Sequence, residues 1–531
     1  MDDTLTIRLK IVDEAWVTVL GDREAVDALA AYLTYEKPGA RYTPAYKRGW
    51  DGRIRILKAD RKLYRGLIHR VEEFCSNNGY NFDCPAEKDQ PPSEEDIKNF
   101  VTSLNLPDHI TVRDYQYQML TNAVRYGRRL FLSPTSSGKS LGLYLISQWF
   151  KQKTLIIVPR KGLGAQLPND FLDYGCDLKL IHKISDGIWT DKLFTIATWQ
   201  TAVKQPQEWF DQFRVVIGDE AHGAKAESLV RIFTSLTNCP VRIGCTGTLD
   251  GKKVHQLIIE GMFGPVETVT TYKELIDRNF VAKPKINIIV LEHPEWARKK
   301  LRSTINQERA KRKATHRNAV GTAYREEQKW LYGCAARVKF IENLVMSRAK
   351  NTMVLFHRVE QQGKVLLEAL KPRLDAVKRS LYFVDGKTDV DVREEIRQTM
   401  ETEENAVWLA SFGTSSEGIS VKRIFSLILA SSFKSPIRIL QSIGRGIRII
   451  DGKTSCEIFD IADDLSVGSF VNSSQNHLEE RIKIYDQELF EYKIHRVKLN
   501  YEEKVIDGNH GGLHEVAVRG RNHGATGTVE P

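Results

Sequence analysis

Three stretches of this chain carry side chains whose types and spacing could handle a phosphorylated ligand. Residues 133–140 read SPTSSGKS, directly after the apolar run LFL and before LGLYLISQWF, a helix-like stretch. A loop of this kind wraps backbone N–H groups around phosphates at a helix N-terminus, where the dipole also favours anions. Pro134, Thr135, Ser136, Ser137 and Gly138 would form the cradle. Lys139 would reach the outer phosphates of ATP, and Ser140 would hold Mg²⁺. The second stretch, RVVIGDEAH, puts Asp219 and Glu220 at the end of an apolar strand, where open α/β sheets bind ligands. Adjacent carboxylates there suit two tasks: Asp219 on Mg²⁺, and Glu220 orienting and deprotonating the attacking water. Acids often end strands merely as solvated caps, but here a phosphate loop lies about 80 residues upstream. The third stretch, 441–448, reads QSIGRGIR. On a helix Gln441, Arg445 and Arg448 fall at i, i+4 and i+7 and project from one face. Guanidinium forks stabilise charge on a transferring phosphoryl group, so Arg445 and Arg448 read as arginine fingers, with Gln441 near the γ-phosphate or water. A plain Gln/Arg surface face is the alternative for this stretch taken alone.

These residues need a scaffold, and the apolar runs supply one. RRLFLS, TLIIVP, LFTIAT, RVVIGDE and VRIGCTG alternate with amphipathic stretches. NTMVLFH, SLYFVDG, AVWLASF, IFSLILA and SCEIFDI do so again. Continuous apolar runs suit parallel strands covered on both faces, so the expected fold class is α/β, with two doubly wound parallel-sheet lobes. Lys139 and Arg448 fall in different blocks, which implies an ATP site between lobes. Upstream, 4–20 reads as two strands, 22–35 as a helix, 53–66 as a hairpin and 67–78 as a helix. The expected organisation is a small α+β domain over 1–84, a polar Pro-containing linker over 85–110 and a first lobe over 111–282. A basic connector over 283–335, a second lobe over 336–475, a C-terminal helical extension over 476–502 and a mobile tail over 503–531 complete it.

The 531 residues are 41% hydrophobic and 27% charged, ordinary for a soluble globular protein of several domains. There is no apolar run long enough to span a membrane, and MDDTLTIRLK is not a secretory signal. The seven cysteines are scattered singly, as in reduced cytosolic proteins. The net charge of +10 attracts polyanions, but its distribution matters more. Residues 41–70 hold ten Lys/Arg against two acids, interleaved with Tyr42, Tyr46, Trp50 and Tyr64, and 296–330 hold eleven against three. Each run is either a solvated face or a polyanion contact. In the first, Arg53 and Arg55 alternate with Ile54 and Ile56, giving a charged surface over an apolar underside, with Lys47, Arg48 and Trp50 in the turn before. Trp50 suits stacking on an exposed base and anchoring the hairpin equally well.

DEAH at 219–222 resembles the signature box of superfamily 2 helicases, whose lobes are RecA-like. Further stretches resemble that family's motifs in order. RDYQ at 113–116 resembles the Q motif, which implies that Gln116 reads the adenine edge. Arg160 and Thr198-Trp199-Gln200 fall where strand-contacting motifs lie. Thr246-Gly247-Thr248, with His222, would couple the ATP site to movement between lobes. His357 lies in a stretch like motif IV. SFGTSSEGIS at 411–420 resembles motif V, implying that Ser411 touches the nucleic-acid backbone and that Gly418 and Ser420 lie near the ribose. Ser133 and Ser136 depart from the commoner phosphate-loop pattern.

WDGRIRIL, TWQTAVKQPQEWF, GMFGP and ERIKIYDQELFEYKIHRVKL narrow the resemblance to UvsW-type phage recombination helicases, over nearly all of 40–500. That resemblance implies ATP- and Mg²⁺-dependent 3′→5′ unwinding of branched DNA and RNA–DNA hybrids. Forks, Holliday junctions, D-loops and R-loops are the implied substrates, in recombination, repair and replication. It further implies single-stranded DNA, single-strand-binding and recombination proteins as partners, no membrane, and the host cytoplasm as location. Two relatives of the same engine stay open on the motifs alone: a DEAD/DEAH-type RNA helicase, and a double-strand DNA translocase that does not unwind. A non-enzymatic binding module would explain the basic runs but not six ordered nucleotide motifs.

Overall fold

The computed structural model describes residues 4–37, 39–85, 92–159, 161–183, 192–221, 226–249, 251, 253–315, 321–415, 421–433 and 435–501. The chain divides into two compact units, Met1–Thr271 and Tyr272–Pro531.

The first unit opens with a four-stranded sheet in the order Lys62–Tyr64, Trp16–Gly21, Thr6–Ile11, Asn81–Asp83, covered by helices Arg23–Tyr32 and Ile68–Asn78. The hairpin expected over 53–66 does not form. Arg53–Arg55 pairs with Thr34–Glu36, and Lys62–Tyr64 pairs with Trp16–Gly21. The chain reverses between them through a tight turn in which Lys58 N–H donates to Lys62 O at 2.9 Å, with Arg61 in the left-handed region at φ 63°. Each short strand thus caps the edge of a different ribbon. The linker expected over 85–110 contains a packed helix, Glu94–Ser103, started by a reciprocal Ser93/Asp96 capping box; Phe100 meets Trp149 edge-on at 4.8 Å.

A seven-stranded all-parallel sheet follows, in the order Val266–Thr268, Arg128–Leu132, Val241–Thr246, Val215–Asp219, Thr154–Val158, Phe194–Thr198, Ile181–Lys183. Every residue of Thr154–Val158 is buried, as the unbroken apolar run requires of a central strand. The small N-terminal sheet shares a core with this domain: Leu63, Leu67 and Val71 join Ile259, Met262 and Phe263 in one cluster. Polar groups fix the same seam. Fully buried Glu260 accepts from His69 Nε2 at 3.1 Å, Arg70 Nε at 2.8 Å, Arg70 NH2 at 2.9 Å and Gln256 Nε2 at 2.7 Å. A Cβ on Gly66 would stand 2.3 Å from the carbonyl of Glu260, so only glycine allows this approach.

The second unit is built on another seven-stranded parallel sheet, in the order Leu381–Val384, Val407–Ser411, Thr352–Phe356, Ser426–Leu429, Ser455–Asp464, Lys283–Glu292, Tyr492–Lys498. The stretch expected as a basic connector, 283–335, therefore begins with an interior strand of this sheet. Its alternating burial, with Lys283 and Lys285 exposed before a buried run, hid it among basic residues. Beyond it, helices Glu295–Ala314 and Thr322–Tyr332 pack through Leu301, Ile305 and Leu331 onto Leu465. The C-terminal extension is likewise part of the fold: helix Ser473–Gln487 is followed by the edge strand Tyr492–Lys498. The tail 503–531 lies outside the described residues. Among the described residues no helix is long and apolar enough to cross a membrane.

Candidate active site

Strand Arg128–Leu132 delivers the chain into the loop 133–138, and helix Lys139–Phe150 leaves it, with the loop at the carboxyl end of the sheet. Gly138 has φ 80°, and a Cβ there would meet Gln116 Nε2 at 2.6 Å, so glycine is required on two grounds. Ser136 takes the left-handed region as well, at φ 72°. Ser133, standing at the usual first glycine, braces the loop: its hydroxyl lies 2.7 Å from that of Ser137, which donates to Pro134 O at 2.8 Å. Ser133 N–H donates to Thr246 O at 2.9 Å, and a Cβ on Gly247 would lie 3.6 Å from Thr135 Oγ1 and 3.7 Å from Lys139 Nζ. The Thr246-Gly247-Thr248 stretch is thus in contact with the phosphate loop, closed by Thr246 Oγ1 donating to Thr248 O at 3.1 Å.

The Lys139 ammonium folds back on the loop and donates to the carbonyls of Ser133 at 3.3 Å and Pro134 at 3.2 Å, 3.8 Å from Glu220 Oε1. Glu220 has φ 48°, and its N–H donates to Asp219 Oδ1 at 3.0 Å. Burial, and then the charge of Glu220, push the Asp219 carboxyl well above the usual carboxylate range, against the pull of Lys139. An acid whose charged form is so disfavoured fits a divalent cation, which would return it to its charged form. The hydroxyl of Ser140 and the carboxylate of Asp219 are the hard oxygen donors that Mg²⁺ takes.

Gln116 is 4% exposed and both ends of its amide are engaged. Its Oε1 accepts from Arg113 N–H at 2.9 Å, and its Nε2 donates to Gly138 O at 3.0 Å. Tyr115 OH adds a bond to Ser137 O at 2.7 Å, so the RDYQ stretch clamps the phosphate loop. Tyr115 carried no separate signal within RDYQ. Tyr174, whose hydroxyl lies 2.9 Å from that of Ser140, had none at all, being 34 residues away between two other elements.

In the second unit, helix Pro436–Gly446 places Gln441 and Arg445 one turn apart, with Arg445 only 8% exposed. Arg448 does not extend that face, contrary to the i, i+7 expectation. The helix closes at Ile447, whose N–H still donates to Ile443 O while its own carbonyl accepts from Ala282 N–H at 2.7 Å. That bond carries the chain out of the helix before Arg448, which is partly exposed.

The expected strand contacts differ in how open they are. Thr198 caps the short helix Trp199–Ala202, Gln200 is exposed, and Trp199 lines a crevice with Pro159, Asp219 and Glu220. His357 N–H donates to Gln362 Oε1 and Ser431 Oγ, and burial followed by Arg358 and Arg438 depresses its ring pKa. Ser411 is buried and bonded to Thr414. Lys47, Arg48, Arg53 and Arg55 are exposed, and Arg55 pairs with Asp51 at 2.5 Å. Trp50 Nε1–H donates to Arg53 O at 3.2 Å, which ties the indole to its own ribbon. Arg160, His222, Gly418 and Ser420 lie outside the described residues.

Two families match the first unit: "DNA helicase UvsW, N-terminal" over residues 6–84 and "Type III restriction enzyme, res subunit" over 109–251. The ATP-dependent DNA helicase uvsW of Enterobacteria phage T4 is 31% identical over 93% of this chain and 100% of its own length. A DNA 3′-5′ translocase of Sulfurisphaera tokodaii is 24% identical over 66% of this chain and 82% of its own length. At the level of fold, a fragment described as an HsdR subunit of a type I restriction enzyme from Vibrio vulnificus superposes with a TM-score of 0.51. It is 18% identical, over 80% of this chain and 73% of that one.

Proposed function

Because this chain belongs to the UvsW-type ATP-dependent DNA helicases, we propose that it couples ATP hydrolysis to remodelling of branched DNA. Fork regression, Holliday-junction branch migration and unwinding of D-loops and R-loops are the proposed reactions, with RNA–DNA hybrids among the substrates. The observation that carries the catalytic reading is the placement of Lys139, in a phosphate loop, 3.8 Å from Glu220 of the DEAH box. Backbone N–H groups of 135–138 and the Lys139 ammonium bind the phosphates, which draws the lysine off the carbonyls it now holds. Glu220 accepts the proton of the attacking water. Mg²⁺, when bound through Ser140 and Asp219, neutralises charge on the phosphate oxygens. By their match to motif VI, Gln441, Arg445 and Arg448 are assigned the transferring phosphoryl group.

The contact between 246–248 and the phosphate loop supports a coupling role for that stretch, since loss of the γ-phosphate would be felt there directly. We assign nucleic-acid contact to Gln200, His357 and the exposed residues Lys47, Arg48, Arg53 and Arg55. The 3′→5′ direction follows the similarity to a translocase so described. Single-strand-binding and recombination proteins are proposed partners, in the host cytoplasm. The test is a panel of matched forks, Holliday junctions, D-loops, R-loops and blunt duplexes, each scored for unwinding and for stimulated ATPase. Preferential unwinding of the branched DNAs and R-loops is expected. ATP turnover without strand separation on any of them would replace this reading with a non-unwinding double-strand translocase.

A further inference from the structure

The second unit carries a cavity of about 280 Å³ lined by Lys285, Arg348, Lys350, Phe425, Ser455 and Glu457. Its place in the sheet sets it apart from the phosphate loop of the first unit and from His357 and Ser411 in the second. Lys285 is the third residue of strand Lys283–Glu292, and Lys350 precedes strand Thr352–Phe356. Phe425 precedes Ser426–Leu429, and Glu457 is near the start of Ser455–Asp464. These four strands are neighbours and run parallel, so the cavity lies at their amino ends. His357 and Ser411 stand at carboxyl ends, one strand length away, roughly 15 Å at 3.3 Å per residue, whereas helix Pro436–Gly446 starts from a carboxyl end and runs back, so that Gly446 lies against Leu427 and Cys456 on the cavity's side of the sheet.

Three cations face one carboxylate in this cavity. Arg348 NH1 pairs with Glu457 Oε2 at 3.0 Å, and its Nε donates to Ser347 Oγ at 3.2 Å. Lys285 and Lys350 are exposed and have no ion-pair partner among the described residues. Lys350 Nζ stands 4.6 Å from the centre of the Phe425 ring. That ring is well held: Lys453 lies 5.7 Å from it, and the buried Lys453 ammonium donates to Lys422 O at 2.8 Å and Gly446 O at 2.7 Å. The hydroxyls of Ser426 and Ser455 complete a polar wall. Two uncompensated ammonium groups, a guanidinium and hydroxyl donors over a fixed floor are the complement of a phosphate group. Glu457 works against any anion and is partly neutralised by Arg348.

We propose that this cavity is a phosphate-binding site separate from the ATP site, held chiefly by Lys285 and Lys350. A phosphodiester of a nucleic-acid strand and free phosphate share the required chemistry. The test is residue-resolved lysine acetylation of the full chain, read by mass spectrometry, with a short single-stranded oligonucleotide or inorganic phosphate as probe. Lys285 and Lys350 should be modified severalfold more slowly with probe, while exposed Lys378 is unchanged. Protection by the oligonucleotide alone assigns the site to a strand, by phosphate alone to the free ion, and by both to either source. Lys139→Ala serves as background: protection persisting there supports the proposal, and protection lost there ties the lysines to the ATP site and overturns it. Lys285→Ala/Lys350→Ala should lower the slope of log K against log salt for the oligonucleotide by up to ~1.4, at about 0.7 per phosphate contact on a single strand. Glu457→Gln should tighten probe binding, by up to about fivefold for a charge screened as at a surface. Unchanged acetylation with both probes would overturn the site.

Discussion

The hydroxyl of Ser140 lies 2.9 Å from the hydroxyl of Tyr174. Tyr174 follows helix Lys161–Asp173 and packs its ring against Tyr144 at 5.6 Å, so the phenol is held where Ser140 needs a partner. A serine that gives its lone pairs to a cation must send its proton elsewhere, and Tyr174 is the acceptor in place. Tyr174→Phe keeps the ring and removes that acceptor. We expect nucleotide affinity measured with Mg²⁺ to fall by ~0.5–1.5 kcal/mol, the net worth of one hydrogen bond, and affinity in chelator to stay the same. An equal loss in both conditions would make Tyr174 a packing residue only.

Glu220→Gln should separate binding from turnover. The amide keeps the shape of the side chain but cannot take the proton of water, and a general base of this kind contributes roughly 10²- to 10⁴-fold. Lys139 keeps its two carbonyl partners without the carboxylate, so the loop should stay folded. A stable complex containing both ATP and DNA is the expected product, visible by co-elution. Wild-type hydrolysis by the variant would move the base elsewhere.

The parts of this site legible in the sequence are those whose neighbours in space are neighbours in the chain. Asp219 and Glu220 sit at a strand end and Lys139 opens the helix after the loop that follows another, and a continuous apolar run announces a strand and therefore its end. Gln116 was visible as a motif, but its bonds to Ser137 and Gly138 join residues 21 and 22 positions apart, which no local pattern encodes. Tyr174 is the extreme case, since tyrosine after a helix is unremarkable until the fold brings it to Ser140. The strand Lys283–Glu292 was hidden for another reason: two exposed lysines open it and a long basic helix follows it, while Ile286, Ile288, Ile289, Val290 and Leu291 do the burying. Arg448 misled through periodicity, because a helix geometry extrapolated past Gly446 ignored the bond from Ala282 that ends it.

Glu260 makes the attachment of the N-terminal sheet acid-sensitive. Burial alone would raise this carboxyl, but the bonds from His69, Arg70 and Gln256 outweigh it and hold the pKa at about 2, below the ordinary 4.5. A depressed carboxyl contributes stability that is present above pH 4.5 and is lost as pH falls from there toward about 2. The shift corresponds to ~3 kcal/mol at neutral pH. Glu260→Gln should remove most of this and flatten the acid limb of a denaturation curve over that window. Hydrogen exchange in helix Ile68–Asn78 would report the seam locally, rising in the variant at pH 7.

Arg445 and Arg448 should part company when stability and turnover are measured together. Arg445 is 8% exposed within its helix, so Arg445→Ala should cost both activity and folding stability, on the scale of a buried polar truncation, ~1–3 kcal/mol. Arg448 stands beyond the helix and partly exposed, so Arg448→Lys and Arg448→Ala should both leave unfolding within ~0.5 kcal/mol of the parent. Both should still abolish most ATP turnover, because a point-charge ammonium does not reproduce a bidentate fork. Retention of activity by Arg448→Lys would leave the finger role to Arg445.

The N-terminal ribbon should bind duplex or junction through one face. Arg53 and Arg55 are exposed on a strand whose middle residue, Ile54, turns inward against Tyr35 of the paired strand. Ile56, next along, is 2% exposed and anchors the ribbon in the core shared with the larger sheet. The charged face is therefore fixed to the first unit, a condition for directing DNA rather than merely attracting it. The two arginines are not equivalent. Arg55 already pairs with Asp51, whereas Arg53 has Glu36 opposite it in register but forms no ion pair among the described residues, so Arg53 should release more counterion on binding. Arg53→Ala/Arg55→Ala should lower the slope of log K against log salt by up to ~2, with the larger part from Arg53. Asp51→Asn, by freeing Arg55, should raise junction affinity. Trp50 should tolerate substitution less well than either arginine for stability, because its indole N–H holds the carbonyl of Arg53. The double variant should lose more fork unwinding than single-strand-stimulated ATPase, if the strand contacts proposed for Gln200 and His357 act independently of the ribbon. Normal fork unwinding with an unchanged salt slope would leave this face a solvated edge of the ribbon.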